Sequence, residues 1–459
     1  MEFKQIYTPG LAHCSYIIGD KTSCIVVDPA REVKQYIDIA QSFGSTITAI
    51  FETHLHADFV SGHVELAKLT GAKIYISKKA NAQFEHYALN DEEEIEIGSL
   101  LIKMIDTPGH TPEGSVFIVS DLERGREPAL IFSGDTLLIG DAGRPDLFPH
   151  IKNELASKLY DSLQKIADLG DSIEVYPAHG AGSLCGKALS SKLSSTIGIE
   201  RRHNGAMQIH PKQQFVESLL AGMPEVPDHF SRCSEINRLG PAIVAALPKP
   251  MELSPDSFFK AMEAGSLVLD TRDQLSFAAA HIPGAYGLSL KGNFATFSGW
   301  VMPPDKPILL VLDSTADLEV SLRALRSVGL DKVDGFLEGG MTAWANRGFL
   351  TARMESMSVM ELKECFYRRE VILVDTRLKS EWDAMRVEGS IHAPAPDIRI
   401  RYQEWRGDVP VAFICNSGNR SLLAGSLMLK KSPQQKVINI IGGTATWAKL
   451  GYPTVKGAD

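Results

Sequence analysis

A chain of 459 residues exceeds what one ordinary hydrophobic core organises, so about two to four domains are expected. With 44% hydrophobic and 22% charged residues and no apolar run of bilayer length, it reads as a globular protein and excludes a helical membrane protein. A net charge of −9 argues against nucleic acid or an anionic membrane as partner, though local clusters leave small anionic substrates open. The opening Met1-Glu2-Phe3-Lys4-Gln5 offers neither a basic n-region nor an apolar h-region, and the six cysteines contain no CxxC pair. Both features suit reduced thiols in a cytoplasmic chain.

Strand-like runs open the first half. They are Cys24–Asp28, Ile47–Phe51, Lys73–Ile76, Leu100–Ile105, Ser115–Val119 and Ala129–Phe132. Val33–Phe43 and Asn153–Leu169 carry apolar residues at helical spacing. Strand-rich stretches with helices at intervals predict two sheets with helices outside them. The segment Glu52-Thr53-His54-Leu55-His56-Ala57-Asp58-Phe59 follows one buried strand. Alternation at a strand end puts the His54 and His56 rings on one side, and a turn brings Asp58 back toward them. Such a grouping is costly without a cation among its members, so a metal is the first expectation. Phe59 stands where a further ligand is common.

Three more polar clusters end strand-like runs: Thr107-Pro108-Gly109-His110-Thr111-Pro112-Glu113, Ser133-Gly134-Asp135-Thr136 and Tyr176-Pro177-Ala178-His179-Gly180. Each sets a ligand-capable side chain in a Gly/Pro turn on a rigid scaffold. Imidazole with carboxylate suits a divalent transition metal, and two His plus one carboxylate leave positions open for Fe(II) chemistry. His13, His63 and His86 lack a motif and read as structural or surface groups. Cys185 reads as a buried apolar residue more readily than as a thiol in the pocket.

A Pro-containing stretch, Gly240-Pro241 through Pro248-Lys249-Pro250, reads as a linker. An internal duplication follows. Leu267–Arg272 is echoed by Ile372–Arg377, and Gly339–Ala345 by Gly442–Ala448, at offsets of 105 and 103 residues. Three domains are therefore expected, at 1–240, 251–350 and 355–459. In the second copy, the buried run Val411–Ile414 leads into Cys415-Asn416-Ser417-Gly418-Asn419-Arg420 and then a helix. A thiol facing a helix N-terminus beside an arginine gains thiolate character, and the turn forms a nest of amides for an anion. In the first copy, Leu310–Asp317 contains neither Cys nor Arg, so that copy has lost its nucleophile and reads as a spacer or interface module.

Taken together, His54-Leu55-His56-Ala57-Asp58, Gly109-His110, Gly134-Asp135 and Ala178-His179-Gly180 resemble the metallo-β-lactamase fold over the first half of the chain. Thr107–Glu113, Gly143-Arg144-Pro145-Asp146 and Tyr176–His179 resemble its persulfide dioxygenase branch rather than the thioester hydrolases. Cys415 followed by Arg420 after four residues resembles the rhodanese active loop, and Asp375-Thr376-Arg377, Glu381-Trp382 and Gly442-Gly443 agree with it. Cysteine phosphatases place that arginine one residue later, where Ser421 stands.

The resemblance implies an α/β architecture: a metallo-β-lactamase αββα sandwich followed by two rhodanese-like α/β domains. It implies one Fe(II) per chain on His54, His110 and Asp135, with zinc as the alternative. His56, Asp58 and His179 then stand behind the ligands or bind weakly. Phe59 fits a single metal, because a two-metal hydrolase uses His there. Arg144 is the candidate for an anionic group on the thiol carrier, and Tyr176 for a hydrogen bond near oxygen or sulfur. Cys415 would accept sulfane sulfur with Arg420 steadying the anion. The implied partners are glutathione persulfide or another low-molecular-weight thiol persulfide, dioxygen, sulfite and thiosulfate, in a homodimer or higher homo-oligomer. A zinc thioester hydrolase with an appended sulfurtransferase, and a non-catalytic persulfide carrier, stay open.

Overall fold

The computed structural model describes residues 1–457. The chain divides into two compact units, built mainly from Met1–Leu247 and from the chain beyond Pro248. The boundary falls inside the Pro-containing stretch. Among the described residues no helix is long and apolar enough to cross a membrane.

Two six-stranded sheets form the first unit. One contains β1 (Glu2–Thr8), β2 (His13–Gly19), β3 (Ser23–Val27), β4 (Thr46–Glu52), β5 (Lys73–Ser77) and β6 (Tyr87–Leu89), in that spatial order. The other is built from β7 (Glu94–Ile97), β8 (Leu100–Asp106), β9 (Ser115–Asp121), β10 (Leu130–Gly134), β13 (Glu174–Pro177) and β14 (Ser195–Thr196), while β11 (Leu137–Leu138) and β12 (Asp141–Ala142) pair as a short ribbon. Cys14, Tyr16, Ile25 and Phe51 from the first sheet meet Ile102, Met104, Phe117 and Phe132 from the second in the middle layer. Tyr36, Ala40 and Leu66, on the helices Lys34–Phe43 and His63–Thr70, cover the first sheet's outer face. Leu159, Leu163 and Ile166 of the helix Lys152–Ala167 cover the second, together with Phe215 and Leu219 of the helix Lys212–Leu220. This is the expected four-layer α/β sandwich.

Strand direction places the site. β8 and β10 each pair antiparallel with β9, and β13 runs parallel to β10. Their C-terminal ends therefore share one edge of that sheet, and His110, Asp135 and His179 follow those ends. His54, His56 and Asp58 follow β4 of the other sheet.

The second unit repeats one pattern twice. β15 (Met251–Leu253), β16 (Leu267–Asp270), β17 (Tyr286–Gly287), β18 (Ile308–Val311) and β19 (Val333–Leu337) form a sheet in the order β15-β19-β18-β16-β17. β20 (Glu355–Ser358), β21 (Ile372–Asp375), β22 (Ile391–His392), β23 (Val411–Ile414) and β24 (Val437–Ile441) repeat it as β20-β24-β23-β21-β22. Every pairing in both sheets is parallel. The central strands β18 and β23 are buried along their whole length, as helices on both faces require.

Candidate metal centre and cysteine loop

Two imidazoles and a carboxylate converge where the sheet edges meet. Nε2 of His110 lies 3.4 Å and Nε2 of His54 3.8 Å from Oδ2 of Asp135, and all three residues are buried. Neither Nε2 has a hydrogen-bond partner. Their Nδ1 atoms are both engaged: that of His110 donates to the Arg144 carbonyl at 2.8 Å, and that of His54 meets Thr53 Oγ1 at 2.9 Å. A ring fixed through Nδ1 with a bare, buried Nε2 is a metal ligand in waiting. Burial, reinforced by the facing imidazoles, holds His54 well below the ordinary histidine range. Burial also outweighs Asp135 at His110, which is lowered too. Both rings are thus in the neutral, ligating form. The three candidate ligand atoms lie within 4.8 Å of one another, a triangle a divalent cation can span at about 2.0–2.2 Å from each.

Glycine permits this approach at two points. Gly134 adopts φ +53° ahead of Asp135, and a Cβ there would lie 2.7 Å from Thr53 Oγ1. A Cβ on Gly143 would come within 2.0 Å of the Asp135 carbonyl and 2.9 Å of His110 Nδ1.

His179 stands behind the triangle. Its Nδ1 contacts both Asp135 oxygens at 2.8 and 2.9 Å, and its Nε2 lies 2.8 Å from Asp58. Burial opposes a charge on this ring, but the two carboxylates prevail and raise it well above the ordinary range. His56, Asp58 and His179 also bring ligand-capable atoms within 4.8 Å of one another. That second grouping is contested. His56 leans on Asp28 at 3.3 Å, His179 spans two carboxylates, and the buried Phe59 ring packs 4.4 Å from His56 and 4.1 Å from His13.

Several contributors were not anticipated. Asp28 accepts from the Thr53 N–H and hydroxyl, tying β3 to the His54 turn. Asn237, on the helix His229–Leu239, donates to the His56 and Phe59 carbonyls and accepts from the Ser61 N–H. Glu113 accepts from the Leu55 N–H. His13 is fully buried beside His56 and Phe59, where the bridge between His13 and His179 joins β2 to the site. Only Thr53 and Glu113 carried a signal, as neighbours of ligand motifs. Cys185 is buried against Ala57 and Phe230 as expected, yet its sulfur also lies within 4.8 Å of ligand-capable atoms of Asp135 and His179.

Two expectations need correction. Arg144 is 0% exposed: its Nε and Nη2 fork onto Asp146 at 2.7 and 2.9 Å, and its other donors reach the Leu184 and Pro224 carbonyls. The nearby Asp146 and the two carbonyls consume the fork, so Arg144 serves the site through its own carbonyl on His110. Tyr176 turns away as well. Its hydroxyl donates to Glu174 at 2.7 Å, and its ring joins Phe3, Tyr16 and Phe132.

In the second unit, β23 delivers Cys415, which is 1% exposed. The Gly418 N–H donates to its sulfur at 3.1 Å, and the Ser421 hydroxyl lies at 3.5 Å. Gly418 adopts φ +110° at the start of the helix Asn419–Lys431, which aims its amide back at the thiol. Arg420 forks onto Glu381 at 2.5 and 2.7 Å. The Asp375–Arg377 pair braces the strand end below, with Arg377 also donating to the Met385 carbonyl. The first copy is cleanly empty of this chemistry. Asp270 pairs with Val311 as Asp375 pairs with Ile414, so the residue in the place of Cys415 is Leu312.

Residues 8–179 match the model of the metallo-beta-lactamase superfamily, and residues 254–347 and 358–450 each match that of the rhodanese-like domain. The probable polyketide biosynthesis zinc-dependent hydrolase BaeB of Bacillus velezensis is 30% identical over 212 residues, covering 44% of this chain and 84% of that protein. The mitochondrial persulfide dioxygenase ETHE1 of Bos taurus is 30% identical over 181 residues, covering 38% of this chain and 67% of that protein. The crystal structure of a metallo-beta-lactamase from Staphylococcus aureus subsp. aureus COL superposes with a TM-score of 0.66 at 31% identity. It covers 73% of this chain and 98% of that one.

Proposed function

Since the chain belongs to the metallo-beta-lactamase superfamily and carries two rhodanese-like domains after that unit, we propose that it is a bifunctional sulfur enzyme, a persulfide dioxygenase joined to a sulfurtransferase. The first reaction consumes a low-molecular-weight thiol persulfide, dioxygen and water, and releases the thiol, sulfite and two protons. An Fe(II) ion on His54, His110 and Asp135 would supply the open positions at which persulfide and dioxygen meet. The chain's own part is to keep both imidazoles neutral, to hold their Nδ1 atoms through Arg144 and Thr53, and to fix Asp135 through His179. The carrying observation is that Phe59 fills the neighbouring space, where a two-metal hydrolase needs another ligand.

At Cys415 the thiolate attacks the outer sulfur of thiosulfate. A new S–S bond forms, the old one breaks, and sulfite leaves with the electron pair. The product is a cysteine persulfide anion, which the loop amides steady beside Arg420. Loading from the thiol persulfide balances likewise: the thiolate takes its outer sulfur, and the carrier leaves as thiolate with the electron pair of the broken S–S bond. Handing that sulfur to sulfite from the first reaction frees Cys415 and makes thiosulfate.

The test is oxygen consumption with glutathione persulfide, paired with metal analysis of the purified protein. Bound iron and persulfide-dependent oxygen uptake are expected. Iron-free protein without uptake across several thiol persulfides would end this reading. Thioester cleavage without oxygen uptake would replace it with a zinc hydrolase, and labelled sulfur on Cys415 without uptake would replace it with a carrier.

A further inference from the structure

The first rhodanese-like copy has Leu312 in place of the nucleophile, yet the chain following β17 reaches the cysteine loop of the other copy. Asn419, next to Arg420 in that loop, is gripped on both sides of its amide. Its Oδ1 accepts from the Ser289 N–H at 3.0 Å, and its Nδ2 donates to the carbonyls of Ser289 at 3.2 Å and Lys291 at 2.9 Å. Further along the helix Asn419–Lys431, Ser426 Oγ accepts from the Gly287 N–H at 3.0 Å, and Lys430 donates to the Gly284 carbonyl at 2.8 Å. Positions 419, 426 and 430 fall on one helical face, so a whole flank of the helix is seated on the first copy. Gln274, also of the first copy, presses on the loop from another side. Its Oε1 accepts from Asn439 Nδ2 at 3.3 Å, and lies where a Cβ on Gly418 would fall, 2.1 Å from that position.

Gly418 links this clamp to the chemistry. It sits between the clamped Asn419 and the thiol, and its N–H is the amide that reaches Cys415 sulfur. A rotation of the Gly418 peptide would turn that N–H away from the sulfur. Arg420 is held separately, by Glu381 of its own copy.

We propose that the cysteine-less copy is a positioning element for the active one: Ser289 and Lys291 hold Asn419, and Gln274 backs Gly418, so that the Gly418 amide stays aimed at the sulfur. This rests on the reading of Cys415 as the acceptor of sulfane sulfur. The duplication then has a use although one copy carries no nucleophile. Asn419 and Gln274 are positioning residues, since each acts on the sulfur through Gly418.

The test uses the full chain and follows sulfur loading from thiosulfate in a single turnover, with the Cys415 peptide resolved by mass spectrometry. Both the amplitude per chain and the rate constant are read. Asn419→Ala should load to the wild-type amplitude but about tenfold or more slowly, with the KM for thiosulfate nearly unchanged because Arg420 and Glu381 are untouched. Gln274→Ala, which alters neither the loop nor its copy, should slow loading in the same sense and serves if Asn419→Ala fails to fold. Lys430→Ala, on the same helical face but remote from the loop, should leave the rate within about twofold. A loss of amplitude at an unchanged rate would mean that the clamp only supports folding, and loading at the wild-type rate would mean that it does nothing for the sulfur. Either result overturns the proposal. Wild-type protein that takes no sulfur on Cys415 would instead overturn the sulfurtransferase reading itself.

Discussion

At the scale of single residues, geometry separates candidate ligands from their supports. Phe59 is the sharpest case, because its ring occupies the space beside His56 and His13 where a second cation would need a donor. Phe59→His should therefore raise bound metal from about one toward two per chain, read by elemental analysis after saturation with Zn(II) or Fe(II). Unchanged stoichiometry in a folded variant would show that Phe59 does not set the metal count. Arg144 teaches the opposite lesson. Its sequence context suggested an anion site, but a guanidinium two residues from Asp146 closes on it, and burial then forbids leaving any donor unpaired. Arg144→Ala strands a carboxylate and two carbonyls, and should cost about 3–5 kcal/mol of stability, measured as a lower denaturant midpoint. A raised KM for persulfide at unchanged stability would restore Arg144 as a substrate contact. His54, His56, Asp58, His110, Asp135 and His179 were legible because each stands in a turn at a strand end. His13, Asp28 and Asn237 were not, since partners distant in sequence leave no local pattern, from 25 residues for Asp28 and Thr53 to 181 for Asn237 and His56.

At the scale of elements, apolar runs located most of the buried strands, with the fully buried β2 an exception. Cys24–Asp28, Leu100–Ile105 and Ser115–Val119 correspond to strands buried along nearly their whole length. β1 escaped notice because its mixed, partly exposed residues show no continuous apolar run, and β2 because His13, Cys14 and Ser15 dilute its apolar half. One element carries a pH signature. His281, four residues after Phe277, stacks on that ring at 3.9 Å and bonds its carbonyl. Burial, with Arg272 adding to it, outweighs that carbonyl and lowers its pKa to about 4. The unfolded chain binds a proton near the ordinary value of about 6.5 while the folded one does not, so stability is full above that pH and falls between it and about 4. The loss approaches about 3 kcal/mol at the acid end. All five tryptophans, Trp300, Trp344, Trp382, Trp405 and Trp447, lie in the second unit, so their fluorescence reports its unfolding alone. Urea midpoints by this signal should fall less between pH 7 and pH 5 in His281→Gln than in wild type, and equal falls would contradict the assignment.

At the scale of the whole molecule, the two candidate sites share one chain without sharing a residue. The duplication was legible from Asp270-Thr271-Arg272 against Asp375-Thr376-Arg377, because a strand-end brace repeats even where the nucleophile does not. What could not be read was that the inactive copy grips Asn419, since backbone groups of Ser289 and Lys291 do the gripping and any sequence could supply them. If the division of labour holds, each activity can be removed alone. Cys415→Ser removes the thiol but touches no candidate ligand of the proposed metal centre. With glutathione persulfide and oxygen, wild-type protein should give sulfite and thiosulfate together, whereas Cys415→Ser should consume oxygen at the same rate and accumulate sulfite alone. Chelation should do the reverse, abolishing oxygen uptake while thiosulfate still loads Cys415 with sulfur, because the Gly418 amide and the Arg420–Glu381 fork hold no metal. Loss of both activities in a folded Cys415→Ser protein would mean that the thiol takes part in the oxidation, and the two-site account would fall.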